Sequence, residues 1–392
     1  MDTTPTIRDL FLTFFRLGLT AFGGPAMVAH IRELSTRRHQ WLDETDFKNG
    51  VALCQSIPGA TAMQTAAYVG LRVRGISGAL ATYIGFGLPA FILMLILSVL
   101  YTRFNSLPKF ISLFNGLQVI VVAIIFNAAY SFGRNVANNY KSVIVALLSA
   151  LLFWLGISPF MVIIVAGILG MAIFRVSISS TSVDYDKKEI QWNAKQIIGL
   201  LITFSLCVAG LYFISAKLFN LAAVMLKIDL FAFGGGFASL PLMLHEIVMN
   251  RGWLDSKTFM DGIALGQITP GPIIITATFV GYLVYGLFGA IVATIAILTP
   301  SFFMVITIAP FFDRLKNSVH FMRAIDGIFA SFVGLLLFVC IKFAMAVPWD
   351  VIRILLGLTA LTALLRKVDI LYIVPVGAVI SLFILSYFFM YQ

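Results

Sequence analysis

The chain has 392 residues, of which 60% are hydrophobic and 11% charged, and its mean hydropathy is +1.00. Soluble domains carry about 25% charged residues, so water is excluded as the main solvent of this chain. The net charge of +10 comes from 27 Lys and Arg against 17 Asp and Glu, but these cations fall mostly in short loops between apolar runs. That is the pattern of cytoplasmic membrane loops rather than of a nucleic-acid surface, and no nucleic-acid partner is expected.

The apolar runs lack strict alternation and recur at lengths near 20 residues, enough to cross roughly 30 Å of hydrocarbon as helices. The expected fold is therefore an all-α polytopic membrane protein. A first helix is predicted over 10–29, retained rather than cleaved as a signal, ending at Phe22-Gly23-Gly24-Pro25. After a loop with Arg32, Arg37, Arg38 and Trp41, Asp43 is placed to cap the next segment. That segment, 47–70, is interrupted by Pro58-Gly59, and helices follow at 76–101, 110–132, 141–156 and 159–174. Residues 176–195 are polar and read as a linker. An extra helix at 196–214 precedes a second set at 219–240, 258–281, 286–311, 321–345, 350–365 and 369–389. Cys54, Cys207 and Cys340 lie apart in apolar runs and read as core residues rather than as disulfide partners.

The second set repeats the first. Phe22-Gly23-Gly24, Trp41-Leu42-Asp43 and Gln55-Ser56-Ile57-Pro58-Gly59 return in order as Phe233-Gly234-Gly235, Trp253-Leu254-Asp255 and Gln267-Ile268-Thr269-Pro270-Gly271. Gly75-x-x-Gly78-Ala79 and Pro89 face Gly286-x-x-Gly289-Ala290 and Pro300. Such an internal duplication in an apolar chain suggests a two-fold pseudosymmetric membrane protein. The domains are then 1–175 and 196–392, with 176–195 between them and about 13 membrane segments in all. If every segment crosses, an odd number of crossings separates matching points and the repeats are inverted, the arrangement adopted here. Re-entrant Pro-Gly segments would make the number even.

Pro-Gly breaks free backbone amides at the start of a following half-helix, whose N-terminus carries roughly half a positive charge. Two matched Pro-Gly pairs and two matched Gly-Gly pairs therefore read as an anion site: Gly23, Gly24, Pro58 and Gly59 in one half, Gly234, Gly235, Pro270 and Gly271 in the other. Arg16 and Lys227 match across the repeat, each six positions before its Phe-Gly-Gly. They read as converging cations, against the alternative that either snorkels to the interface. Gln55 and Gln267 match as amide donors or as helix ties, and Thr269 is expected to cap the half-helix that follows it or to donate to substrate. Asp229, matched by Gly18, could carry a coupling proton or neutralise Lys227; Glu33, His245 and Glu246 are weaker proton candidates. No nucleotide loop or zinc motif is present in the sequence, and no cofactor, metal or enzymatic activity is expected.

In this order, twice, these motifs resemble the chromate ion transporter family, in particular its long bidomain members, over essentially the whole chain. The resemblance implies secondary transport of chromate, usually outward, across the cytoplasmic membrane. The second copy departs from the first in having Gly236 for Pro25 and no basic pair matching Arg72 and Arg74. The weighed alternatives are a sulfate or other oxyanion carrier of the same architecture and a membrane-embedded lipid pyrophosphatase. Expected partners are the oxyanion and membrane lipid, with a homodimer left open.

Overall fold

The computed structural model of the chain describes residues 5–22, 24–174 and 194–385. The 176–195 linker lies outside these residues except at its last two positions, and so does Gly23. Among the described residues every regular element is helical.

The first predicted helix is two. Helix α1 (Ile7–Thr20) opens on a Thr6–Asp9 capping box and stops at Ala21. Helix α2 (Gly24–Arg32) then starts afresh and runs into a π-helical turn, Glu33–Arg38. The return is antiparallel, because Trp41, beyond that turn, stacks on Phe14 of α1 with ring centroids 6.5 Å apart. Helix α3 (Glu44–Ser56) begins where Asp43 accepts the Asp46 amide, as the sequence requires, and ends at the Pro58-Gly59 break. Helix α4 (Thr61–Phe104) folds back along α3: a β-carbon on Gly50 would overlap the Tyr68 ring.

Helix α4 itself turns once more. Arg74 and Gly75 leave helical geometry, Gly75 at φ +64°, and a β-carbon on Gly70 would overlap the carbonyl oxygen of Gly78. In a straight helix those two positions stand about 12 Å apart. Residues 61–73 and 76–104 are therefore two arms of a tight hairpin held by facing glycines. The two arms of the Pro-Gly segment lie side by side, and each, about 20 Å long, is too short to span a bilayer alone.

Helices α5 (Pro108–Val136), α6 (Tyr140–Trp154) and α7 (Pro159–Ile173) complete the first set. Helix α8 (Ala194–Ile214) is the extra one. The second set repeats the plan: α9 (Ala216–Leu230), α10 (Ser239–Met243) with a π-helical continuation, α11 (Ser256–Ile268) and α12 (Thr276–Ile308). The helix expected over 219–240 is thus also broken. Asp255 caps α11, Gly262 meets Phe279 as Gly50 meets Tyr68, and Gly286 at φ +63° makes the second glycine hairpin, with Gly281 on Gly289. A short helix α13 (Phe312–Lys316) leads to α14 (Val319–Ala346), α15 (Val351–Leu365) and α16 (Ile370–Ile380). The last predicted helix reaches residue 385 as a π-helical turn, and its remainder lies outside the described residues.

Five of the described helices are long and apolar enough to cross a membrane, and four shorter ones are apolar. Leucines and phenylalanines such as Leu206 and Phe213 of α8 are exposed, 67% and 86%, as lipid-facing side chains would be. The core is exchanged between halves: α14 packs on α6 and α7 of the first set, while α5 packs on α15 and α16 of the second. Each half is therefore completed by the other.

Candidate functional site

The two Pro-Gly breaks are each tied to the opposite half by a reciprocal exchange. The Gly59 amide donates to the Ala232 carbonyl and the Gly271 amide donates to the Ala21 carbonyl, both at 3.0 Å. Each break thus ties down the end of the other half's first helix. Gly59 and Gly271 adopt φ values of +121° and +109°, open to glycine and strained for other residues. Their amides, read from the sequence as ligands, are engaged between the halves and unavailable to an anion.

The starts of the following helices lie one step further on. At the start of the 61–73 arm, Ala60 offers no side-chain cap, and its own amide donates to Ser301 Oγ at 3.1 Å. The third break is adjacent: a β-carbon on Gly235 would lie 3.1 Å from Thr61 Oγ1, and one on Gly236 3.6 Å from the Ile273 amide nitrogen. The starts of three broken helices, at Thr61, Gly236 and Ile273, therefore adjoin. Gly24 opens α2 in the same manner, and Gly234 holds φ +101°. This cluster of helix N-termini can receive an anion through backbone donors.

Pro58 and Pro270 are buried with their breaks. The Pro58 carbonyl accepts from Gln64 Nε2 at 2.6 Å, a buttress that sequence reading missed. Thr269 closes the helix behind it rather than capping the one ahead, since its hydroxyl donates to the Gly266 carbonyl at 3.1 Å. The matched glutamines part company: Gln55 is exposed, whereas Gln267 Nε2 is buried without a partner among the described residues.

The paired cations part company as well. Arg16 is exposed on α1 beside Leu12 and Leu19, the placement that suits snorkelling. Lys227 donates to Glu246 at 2.8 Å and covers the Phe160 ring at 3.8 Å. Glu246 is buried and also accepts from Arg251 and Asn250. Glu246, and not Asp229, is therefore the counter-charge of Lys227. His245 packs against Phe153 and Phe160, and Glu33 is an exposed partner of Arg37 at 3.2 Å.

Asp229 is fully buried, and its Oδ2 accepts both the amide and the hydroxyl of Ser301 at 2.7 Å. Ser301 escaped the sequence reading although a signal was there: the matching positions hold Gly18 and Ala90, so carboxylate and hydroxyl are present or absent together. A second buried carboxylate, Asp261, was also missed. It accepts from Tyr101 Oη and Gln118 Nε2, each at 2.8 Å, and ties α11 to α4 and α5.

Two cavities flank the breaks. One, about 310 Å³ and lined by Phe15, Leu19, Phe22, Pro89 and Pro270, is apolar and offers an oxyanion nothing. The other, about 220 Å³, reaches Ser56 at the end of α3 and is lined also by Lys316, Phe321 and Asp326.

The sequence pattern of the family described as Chromate transporter matches residues 8–171 and 219–382. An uncharacterized transporter of Methanocaldococcus jannaschii is 44% identical over 97% of this chain and 95% of its own length. A chromate transport protein of Cupriavidus metallidurans is 30% identical over 93% of this chain and 89% of its own length. One of Pseudomonas aeruginosa is 30% identical over 84% and 79%. No solved structure matches the chain.

Proposed function

This chain belongs to the chromate transporter family, and from that premise we propose that it is a secondary active transporter exporting chromate across the cytoplasmic membrane. The observation that carries the reading is the reciprocal Gly59–Ala232 and Gly271–Ala21 pairing, which brings broken helix starts together inside an apolar chain. A tetrahedral dianion leaves water only where many donors replace its hydration. Helix N-termini at Thr61, Gly236 and Ile273, with Gln267 Nε2, are such donors. The hollow at Ser56, with Lys316 on its wall, is the approach from one side.

Repeats 1–175 and 196–392 are read as inverted. The broken helices α1/α2 and α3/61–73 return to the side they entered and leave parity unchanged. From there to α9 the chain passes the 76–104 arm, α5, the α6/α7 pair and α8, an odd number of crossings whether α6 and α7 cross singly or return together. The total is 13 segments, four of them broken hairpins, arranged about a two-fold axis in the membrane plane. Alternating access follows as one repeat rocks against the other around the fixed breaks.

Export needs no ATP. The membrane potential supplies about 2.3 kcal/mol per charge per 100 mV, roughly 4.6 kcal/mol for a dianion leaving an inside-negative cell. Vesicles holding the purified protein are expected to accumulate labelled chromate only when a potential or proton gradient is imposed. Indifference of the flux to both gradients would refute secondary transport. Sulfate, close to chromate in shape and charge, serves as competitor: displacement of chromate by excess sulfate would mark a general oxyanion carrier.

A further inference from the structure

Asp229 is a fully buried carboxylate whose connection to the breaks is direct. Its Oδ2 accepts from Ser301 N and Ser301 Oγ at 2.7 Å, and Ser301 Oγ in turn accepts from the Ala60 amide at 3.1 Å. Ala60 follows Gly59, whose missing β-carbon is what lets Ser301 Oγ come so close. Asp229 Oδ1 is buried and has no partner among the described residues. The chain Asp229–Ser301–Ala60 thus runs from a carboxylate of the second repeat to the anion-facing break of the first.

The surroundings do not compensate a negative charge. Among the described residues the titratable group facing Asp229 is Tyr83 of α4, whose hydroxyl donates to the Leu298 carbonyl at 2.6 Å and lies within hydrogen-bonding reach of Ser301. Helix α12 contains no Asp, Glu, Lys, Arg or His, and the one charged residue of α8, Lys195, stands in its first turn. On α9, Lys227 points to another face and pairs with Glu246 of the returning arm, where Arg251 also binds.

A serine hydroxyl has one proton to give. With Asp229 ionised, that proton is held by Oδ2, Ser301 can only accept from Ala60, and a second anion beside the break meets an uncompensated charge in an apolar setting. With Asp229 protonated, its own O–H donates to Ser301 Oγ, and the serine proton turns toward the break. We infer that Asp229 and Ser301 form a proton-gated donor of the oxyanion site, so that one proton binds with each anion. The number is one because the matching positions, Gly18 and Ala90, have neither group, and Gly18 has no room for one: its β-carbon would lie 2.5 Å from the Phe86 carbonyl oxygen. This rests on the oxyanion-transport reading and refines it, since a chromate dianion carried with one proton moves a single net charge.

The test is infrared difference spectroscopy of the purified full-length protein, with chromate binding measured in parallel. Adding chromate to the wild type is expected to raise a protonated-carboxyl band that is missing in Asp229→Asn and shifted in Ser301→Ala. Chromate affinity should rise with acidity in the wild type and lose that dependence in Asp229→Asn. Ser301→Ala, which installs the residue found at the matching position, should bind about tenfold more weakly in acid, where the wild-type hydroxyl faces the anion, and approach the wild type as pH rises. Chromate binding to the wild type without the band, or an Asp229→Asn protein with the full pH dependence, overturns the inference while leaving transport intact. Should the wild type bind neither chromate nor sulfate, the transport reading fails instead. The pair is then judged from acid titration of the anion-free protein, where a carboxyl band unaltered by Ser301→Ala overturns it.

Discussion

The amide of Gly59 donates to the carbonyl of Ala232 at 3.0 Å, and the bond exists because Gly59 holds φ +121°. A β-carbon at this position would overlap Ser301 Oγ and lie 2.6 Å from Gln64 Nε2. Gly59→Ala therefore adds a left-handed backbone penalty to a steric one, and a loss of about 2–5 kcal/mol is expected. Gly156 is the control: it too is left-handed, at φ +85°, but has nothing within 4 Å of a β-carbon. Its alanine variant should lose only about 1 kcal/mol. Thermal unfolding of the two variants in detergent decides; equal losses would deny Gly59 its packed place between the halves.

Asp261 is held by two donors from two other helices, and removing either leaves a buried lone pair. Tyr101→Phe keeps the ring and its edge contacts with Phe114 and Phe279, at 5.1 and 5.0 Å, and deletes only the hydroxyl. The expected cost is about 1–3 kcal/mol of stability, the price of an unsatisfied buried acceptor. Asp261→Ala frees both donors and should cost more. A Tyr101→Phe protein as stable as the wild type would show that the triad does not clamp α11.

Much of this architecture was legible before any coordinates. The two capping aspartates, Asp43 and Asp255, and the two Pro-Gly breaks stand where the repeat put them, because each rests on a local rule about donors and dihedrals. The Gly-Gly breaks were read at the right places, but the helix bounds 10–29 and 219–240 ran across them, because the apolar runs on either side of each pair look like one helix. The glycine hairpins at Gly75 and Gly286 were read as boundaries between segments, and nothing in the sequence said that the chain doubles back there. Among the site residues, matched position proved a poor guide to environment. Gln55 is exposed and Gln267 is not, and Arg16 is open where Lys227 is paired. Partners such as Ser301 for Asp229 come from another helix, 72 residues away, and no periodicity links them.

One loop outside the membrane segments carries a pH signature. His39 stacks on Trp41 with ring centroids 4.5 Å apart, and burial, aided by the Arg38 charge, holds its imidazole below the ordinary value. The folded state thus binds fewer protons than the unfolded state just below the ordinary pKa of about 6.5, and stability falls as pH drops through that range. The group is largely exposed, so the effect should stay below about 1 kcal/mol. In His39→Gln this increment of acid sensitivity should vanish. An unchanged difference between variant and wild type from neutral to mildly acidic pH would refute it.

The Glu246 cluster makes unequal demands on its members. Glu246 accepts from Lys227, Arg251 and Asn250, so Glu246→Gln removes the shared counter-charge of two partly exposed cations, and a loss of about 1–3 kcal/mol is expected. Lys227→Gln leaves Glu246 still bonded to Arg251, and because the lysine is half exposed the loss should stay near 1 kcal/mol. Arg16→Gln touches no ion pair among the described residues and should leave stability unchanged. The same order of variants also separates two roles for the matched cations in transport. If Arg16 and Lys227 guide the anion, each variant slows chromate uptake with little loss of folded protein. Should the double variant transport at the full wild-type rate, their shared position in the repeat is a matter of membrane anchoring and packing.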